Sequence, residues 1–186
     1  MKFSFWLTLL SLILLAAPGT TDAADSKGKK SEKHAKWFAQ YSKWPMVTTF
    51  HLSTTHWEQD IRTFVSSPKL VAIFKQNFDM EQLELDGADM DEIEDEGGYQ
   101  QYPVGAVLAK ENFRKSPKGK RVLDTVSFME KTADSTWRYI SLGADGAVKL
   151  DSDKNPSLAT SECVVCHAAV DYRDYIYHTF FDTPAK

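Results

Sequence analysis

The stretch Trp137-Arg-Tyr-Ile-Ser-Leu-Gly-Ala-Asp-Gly-Ala-Val-Lys-Leu150 decides the fold class of this sequence. Its first half alternates apolar and polar residues up to Leu142, which is typical of a half-buried strand. Asp145-Gly146 then offers the positive φ values that a tight hairpin turn requires, and Ala147 to Leu150 returns as a second strand. The stretch therefore predicts an antiparallel hairpin.

Other parts of the chain extend this hairpin into a larger fold. Residues 70–74, 104–109 and 122–129 are short apolar runs of strand length and are rich in branched residues. Residues 37–41 and 57–65 instead carry apolar side chains at helical spacing. The sequence predicts an α+β protein in which four or five strands lie between helical ends.

Length and composition narrow the class of protein further. The chain has 186 residues, and 22 basic against 26 acidic side chains give a net charge of -4. This balance excludes a nucleic-acid binder driven by positive charge. A hydrophobic share of 42% excludes a disordered chain. Two cysteines are too few for a disulfide-rich mini-domain or for a zinc finger.

The N-terminus has the pattern of an export signal. Lys2 precedes an apolar run that ends in Pro18-Gly19 and small residues, and this predicts a signal peptide over 1–23. The run is shorter than the roughly 20 residues of a membrane span. Residues 24–33 are polar and predict a flexible leader, and 34–186 then form a single domain. We therefore expect a periplasmic protein with no membrane span after signal removal.

The segment 79–96 contains ten acidic residues and no basic one. It does not match the ligand spacing of a calcium loop. A docking face for a basic partner remains an alternative, while a solvated acidic excursion between two strands is the simpler expectation. The basic cluster 114–121 predicts an exposed turn.

The motif Cys163-Val-Val-Cys166-His167 carries the clearest chemistry. Two thiols three residues apart can each add to a haem vinyl group, and the adjacent imidazole then ligates the iron. The motif predicts one covalent haem c per chain, with His167 as the metal ligand. A Cys-x-x-Cys disulfide and an incomplete zinc site are the alternatives.

The motif lies close to the end of the chain. Nineteen residues follow His167 and none is a methionine, so we expect one protein ligand and an open position on the iron. An upstream side chain could close that position, and the candidates are Met46, Met80, Met90, Met129, His51, His56 and His178.

The segment from Tyr102 to Glu111, the Trp137 strand, and 161–167 with the aromatic tail 175–181 resemble the cytochrome P-460 family, which includes the gas-binding cytochromes c′-beta. The resemblance covers roughly 35–182. It implies a mainly antiparallel β-sheet with flanking helices, a C-terminal haem-attachment helix and a periplasmic homodimer. Ordinary cytochromes c′, by contrast, are four-helix bundles.

The resemblance assigns roles to four residues. Cys163 and Cys166 match the thioether cysteines, His167 matches the proximal ligand, and Lys110 matches the lysine that hydroxylamine-oxidising members join to the porphyrin. The residues themselves mark Lys110 as unusual, because a strand would place it on the apolar face of Leu108 and its neighbours, where a cation is costly. The alternative is that Lys110 lies past the end of the strand, in water.

The resemblance also implies a distal carboxylate on the strand 126–130. The best register places Met129 at that position, and a shift of one residue would place Phe128 or Glu130 there. Glu130 would act as a general base, whereas Phe128 or Met129 would make the pocket apolar, as in the gas-binding branch. Met129 and Glu130 are thus the candidate catalytic residues.

Three functions follow as hypotheses, and whether the protein is an enzyme stays open among them. The first is hydroxylamine oxidation, in which a soluble electron acceptor such as another cytochrome c takes the electrons. The second is binding of nitric oxide or carbon monoxide without turnover. The third is electron transfer through an iron that is closed by an upstream side chain.

Overall fold

The computed structural model describes residues 33–53 and 59–178. The compact unit that contains the sheet begins at Ala35. The predicted signal peptide and all but the last residue of the predicted leader lie outside the described residues. In the described part of the chain, no helix is both long enough and apolar enough to cross a membrane.

A six-stranded antiparallel sheet forms the centre of the described structure, and each strand pairs with the next one along the chain. The strands are β1 (His51–Ser53), β2 (Gln59–Val65), β3 (Val107–Lys115), β4 (Arg121–Ala133), β5 (Thr136–Gly143) and β6 (Val148–Asp151). The helices are α1 (33–40), α2 (Pro68–Leu85) and α3 (Met90–Asp95). This architecture confirms the predicted α+β class.

A C-terminal helical segment follows β6 and changes type along its length. It runs through an α-turn (Pro156–Ala159), a π-turn (Thr160–Val164), a further α-turn (Val165–His167) and a 3₁₀ stretch (Ala168–Arg173). Single π-turns inside helices occur often at functional sites. The predicted C-terminal helix is therefore present, and its π-turn contains the first cysteine of the motif.

The hairpin that decided the fold class is confirmed. β5 and β6 pair through Ile140–Asp151 and Ser141–Leu150. The amide of Gly143 donates to the carbonyl of Ala147 at 2.8 Å, and Gly146 has a φ of 79°. That backbone conformation is the reason a glycine stands at this position.

Two local predictions are wrong. The spacing in 57–65 predicts a helix, yet 59–65 form β2, which pairs with β1 and β3. Conversely, the apolar run 70–74 predicts a strand but lies in α2, which begins at Pro68 with Leu70 and Phe74 on its buried face. A short apolar run suits either a strand or a helix. Pairing with the neighbouring strands makes 59–65 a strand, and Pro68 at the first helical position favours a helix over 70–74.

The sheet buries two different faces. One face packs against α1 and the residues after it through an aromatic cluster around Phe128. The other face packs against α2 and the C-terminal helical segment. Because side chains alternate along a strand, neighbouring residues of β3, β4 and β5 belong to opposite faces.

The acidic segment is helical and forms the end of α2 together with α3. Most of its carboxylates are exposed, but Glu81 is fully buried and Glu84 is half-buried. Both bond to Arg173 in the C-terminal helical segment. The expectation of a solvated excursion between strands is therefore wrong for these two residues. The basic cluster forms the exposed turn between β3 and β4, as expected.

Replacing Phe128 with alanine should destabilise the fold strongly. Its side chain is 1% exposed, and its ring centroid lies 5.8 Å from that of Trp37 and 5.9 Å from that of Tyr41. Loss of such a buried ring costs about 3–5 kcal/mol. Urea unfolding measures this cost, and Val148→Ala, at an exposed position of β6, is the control, expected to change stability by less than about 0.5 kcal/mol. Equal stabilities for the two variants would contradict the described packing.

Candidate functional site

A cavity of about 390 Å³ lies between one face of the sheet and the C-terminal helical segment. This volume is within the range of ligand pockets, roughly 300–1,000 Å³. Strand residues, α2 and the motif segment all contribute to its lining. The lining includes Leu108, Lys110, Met129, Tyr139, Cys163 and His167.

The two cysteines of the motif point to different surroundings. Cys163 lines the cavity and is half-buried, whereas Cys166 is exposed. Both are free thiols, so the alternative of a disulfide between them is not formed. Burial raises the pKa of the Cys163 thiol, and nearby Lys110 partly opposes this rise. Within the described residues no group of three or more potential ligands could hold a metal ion.

His167 is held in one tautomer by the backbone. Its Nδ1 lies 2.6 Å from the carbonyl oxygen of Tyr175. Because a carbonyl only accepts, Nδ1 must carry the proton, and Nε2 keeps its lone pair. Burial, together with the charge of Lys110, lowers the pKa of His167 to about 4. The ring is therefore neutral at ordinary pH, which is the state in which a histidine binds a metal.

Aromatic side chains enclose the imidazole of His167. The ring centroid of Tyr139 on β5 lies 5.4 Å from it, and that of Tyr177 lies 5.7 Å from it in an edge-on arrangement. The Tyr177 hydroxyl also donates to the carbonyl of Cys166 at 3.0 Å. These contacts tie the motif to the sheet on one side and to the chain that follows on the other.

Lys110 lies in the middle of β3, where it pairs with Thr63 on β2 and Ser127 on β4. It is thus inside the strand and does not lie past its end in water. It lines the cavity together with Leu108, as expected, although the strand begins only at Val107. Burial lowers its pKa to about 8, and the nearby Cys163 partly opposes this shift.

The structure separates the two candidate catalytic residues. Met129 lines the cavity in a row with Leu108 on β3 and Tyr139 on β5. Glu130 pairs with Val107 and Arg138, and it is not among the residues that line the cavity. The expectation that Glu130 acts as a base at this site does not agree with its placement, because strand alternation turns it to the opposite face.

Few of the other candidate iron ligands reach the cavity. Met46 and Met90 are exposed, and Met80 is a buried residue of α2. His178 is buried against Tyr102 and Glu81. The side chains of the remaining two histidines, at positions 51 and 56, lie outside what the structure describes. Among the candidates that it does describe, Met129 alone lines the cavity.

Sequence reasoning missed the partners of His167. The decisive group on Tyr175 is a backbone carbonyl, which any residue type would supply, so no sequence pattern could have revealed it. The sequence pattern marks Tyr139 only as part of a strand and Tyr177 only as part of an aromatic tail.

These residues fit a covalently held haem. Two free thiols stand at the spacing that haem attachment needs, and the adjacent imidazole keeps its Nε2 lone pair for iron. The neighbouring cavity wall contains Leu108, Met129 and Tyr139, and such surroundings suit a largely apolar macrocycle.

Comparison with known proteins agrees with this geometry. A family model described as Cytochrome P460 matches residues 38–178, which is more than half of the chain. A comparison with curated proteins gives no match. The chain belongs to the cytochrome P460 family, whose members are haem- and iron-binding cytochromes.

Proposed function

We propose that this protein is a periplasmic cytochrome with one covalent haem c that binds a small gas of the nitric oxide type. In this proposal Cys163 and Cys166 form the thioether bonds and His167 ligates the iron. Haem iron held by a single protein ligand would supply an open coordination position for a small ligand. Export follows from the signal peptide predicted over 1–23.

The placement of Met129 carries the proposal. The cavity wall at this level is the row of Leu108, Met129 and Tyr139, which offers no carboxylate. A hydroxylamine oxidiser needs a group that removes protons from nitrogen, and Glu130 is on the opposite face. A diatomic gas needs no such base. Asp124 on β4 and the exposed Glu162 also line the cavity, but neither belongs to this row. The row that contains Met129 therefore suits a diatomic gas better than a reaction that needs a base at this level.

Oxidation of hydroxylamine is the second candidate, and Lys110 is the observation that favours it. Family resemblance associates this lysine with a porphyrin cross-link and with that reaction. It lies in the cavity wall close to the proposed haem, and its pKa of about 8 gives the amine a larger neutral fraction than an exposed lysine has. Joining the Nζ atom to a ring carbon removes two hydrogens, so an external two-electron oxidant such as a peroxide must take the electrons.

Electron exchange would occur where the motif reaches the surface. Cys166 is exposed, and Val165 beside it is 63% exposed. A soluble acceptor such as another cytochrome c could approach there. The homodimer implied by the family resemblance is likewise part of this proposal.

Covalent attachment predicts that the haem resists extraction. Protein matured with its own export signal should keep haem through denaturation and acid-acetone treatment, because thioether bonds survive both. Replacing both Cys163 and Cys166 with alanine should release it, as measured by haem absorbance after gel electrophoresis. Haem that is freely extracted from the parent protein would disprove the attachment.

The open iron position predicts a five-coordinate ferrous haem that binds nitric oxide and carbon monoxide. Optical spectra test this, and Met129→Leu is the matched variant, because it removes the sulfur while preserving an apolar side chain. The parent and Met129→Leu should both be five-coordinate and should both bind the two gases. The electron-carrier function would instead be supported if the parent is six-coordinate and binds neither gas, while Met129→Leu is five-coordinate. Sustained hydroxylamine-dependent reduction of an acceptor dye would favour the enzyme.

Lys110 predicts a third covalent bond to the haem in natively matured protein. Mass spectrometry of proteolysed protein should find a Lys110 peptide attached to the peptide that contains Cys163 and Cys166. Lys110→Arg should leave the thioethers intact and give an ordinary c-type spectrum, because arginine retains its proton. A haem peptide without any Lys110 peptide in the parent would exclude the cross-link and strengthen the gas-binding function.

A further inference from the structure

The turn that presents the Tyr175 carbonyl to His167 has an unusual backbone. Asp174 has a φ of 54° and Tyr175 a φ of 65°. Both values lie in the left-handed region, which residues other than glycine rarely adopt and which persists only where the surroundings hold it. Two consecutive residues of this kind require a specific restraint.

The side chain of Asp174 supplies that restraint. Its carboxylate is buried, and Oδ2 accepts from the Lys131 ammonium at 2.6 Å and from the Tyr102 amide at 2.8 Å. Oδ1 accepts from the Trp137 indole N–H at 3.2 Å. Lys131 and Trp137 belong to β4 and β5. The turn is therefore fixed directly to the sheet.

The residues on both sides of the turn are fixed to α2. Arg173 donates to Glu81 at 2.7 Å and to Glu84 at 2.8 Å. The backbone amide of His178 donates to Glu81 at 2.7 Å. Within the turn, the amides of Asp174 and Tyr175 each donate to a preceding carbonyl at 3.0 Å. The side chain of Asp174 is what ties this turn to the sheet.

A hydrogen bond from Nδ1 of a histidine makes the opposite nitrogen a stronger metal ligand, because the proton is partly shared with the acceptor. The Tyr175 carbonyl performs this role at 2.6 Å from Nδ1 of His167. Any movement of the turn would lengthen that bond. The strength of the ligand thus depends on what holds the turn.

We propose that Asp174 is a positioning residue, which holds the Tyr175 carbonyl against His167 and thereby strengthens His167 as the ligand of the haem iron. The inference rests on the proposed function, in which His167 ligates iron. Asp174 is not among the residues that line the cavity, so it acts through the turn.

The test compares the vibration of the iron–histidine bond in haem-loaded ferrous protein by resonance Raman spectroscopy. The variant Asp174→Gly/Lys131→Met removes the bonds between the turn and the sheet. Glycine tolerates the left-handed backbone at position 174, and methionine at position 131 avoids leaving a buried cation without its partner. The bond frequency should fall, and the ferric/ferrous midpoint potential should rise, because a weaker ligand stabilises ferric iron less. Unchanged values for both would overturn the inference.

Glu111→Gln is the matched control, because Glu111 is also a buried carboxylate in an ion pair, with Arg62, but lies on the opposite face of the sheet. It should change neither the frequency nor the potential. If the double variant fails to fold, Trp137→Phe removes one of the three bonds to Asp174. It should lower the frequency by a smaller amount, and an unchanged frequency there would also overturn the inference.

The same measurement separates this inference from the proposed function. If the parent shows no iron–histidine vibration, the proposed five-coordinate iron fails. If the vibration survives in His167→Ala, the assignment of His167 as ligand fails. If the vibration belongs to His167 but does not respond to the loss of Asp174, only the positioning role fails.

Discussion

The buried pair formed by Glu81 and Arg173 is the interaction on which the proposed site depends. Both side chains are nearly free of solvent contact, and their closest atoms are 2.7 Å apart. A charge buried in this way is tolerated only with a partner. Because Glu81 belongs to α2 and Arg173 follows the motif, the pair requires the C-terminal helical segment to lie against the helix. The sheet then closes the cavity from the other side.

Much of the fold was predictable because its signals are local. Asp145-Gly146 specifies a hairpin turn by its backbone preference alone, and the spacing of the Cys163 to His167 motif predicts haem attachment without any knowledge of the fold. The states of 59–65 and of 70–74 were not predictable in the same way. Their apolar patterns suit either a strand or a helix, and pairing with β3 or packing on the sheet decides between them.

In the candidate site, too, some features follow from the local sequence and others from contacts between distant residues. The residue types at Lys110, Cys163 and His167 indicate their chemistry from the sequence alone. The buried role of Glu81 is hidden among nine other acidic residues, because nothing in the sequence distinguishes the carboxylate that meets Arg173 from its solvated neighbours. Long-range contacts of this kind, 92 positions apart in the chain, depend on the complete fold.

The alternation of side chains along β4 has an evolutionary consequence. Met129 faces the cavity and Glu130 faces away, and they are adjacent in the chain. A shift of one residue in the pairing of a strand moves its side chains to the other face. A single inserted residue or bulge before Met129 would therefore place Glu130 in the row with Leu108 and Tyr139 without any substitution. On this scaffold, one step of strand register decides whether that row is apolar or carries an acid.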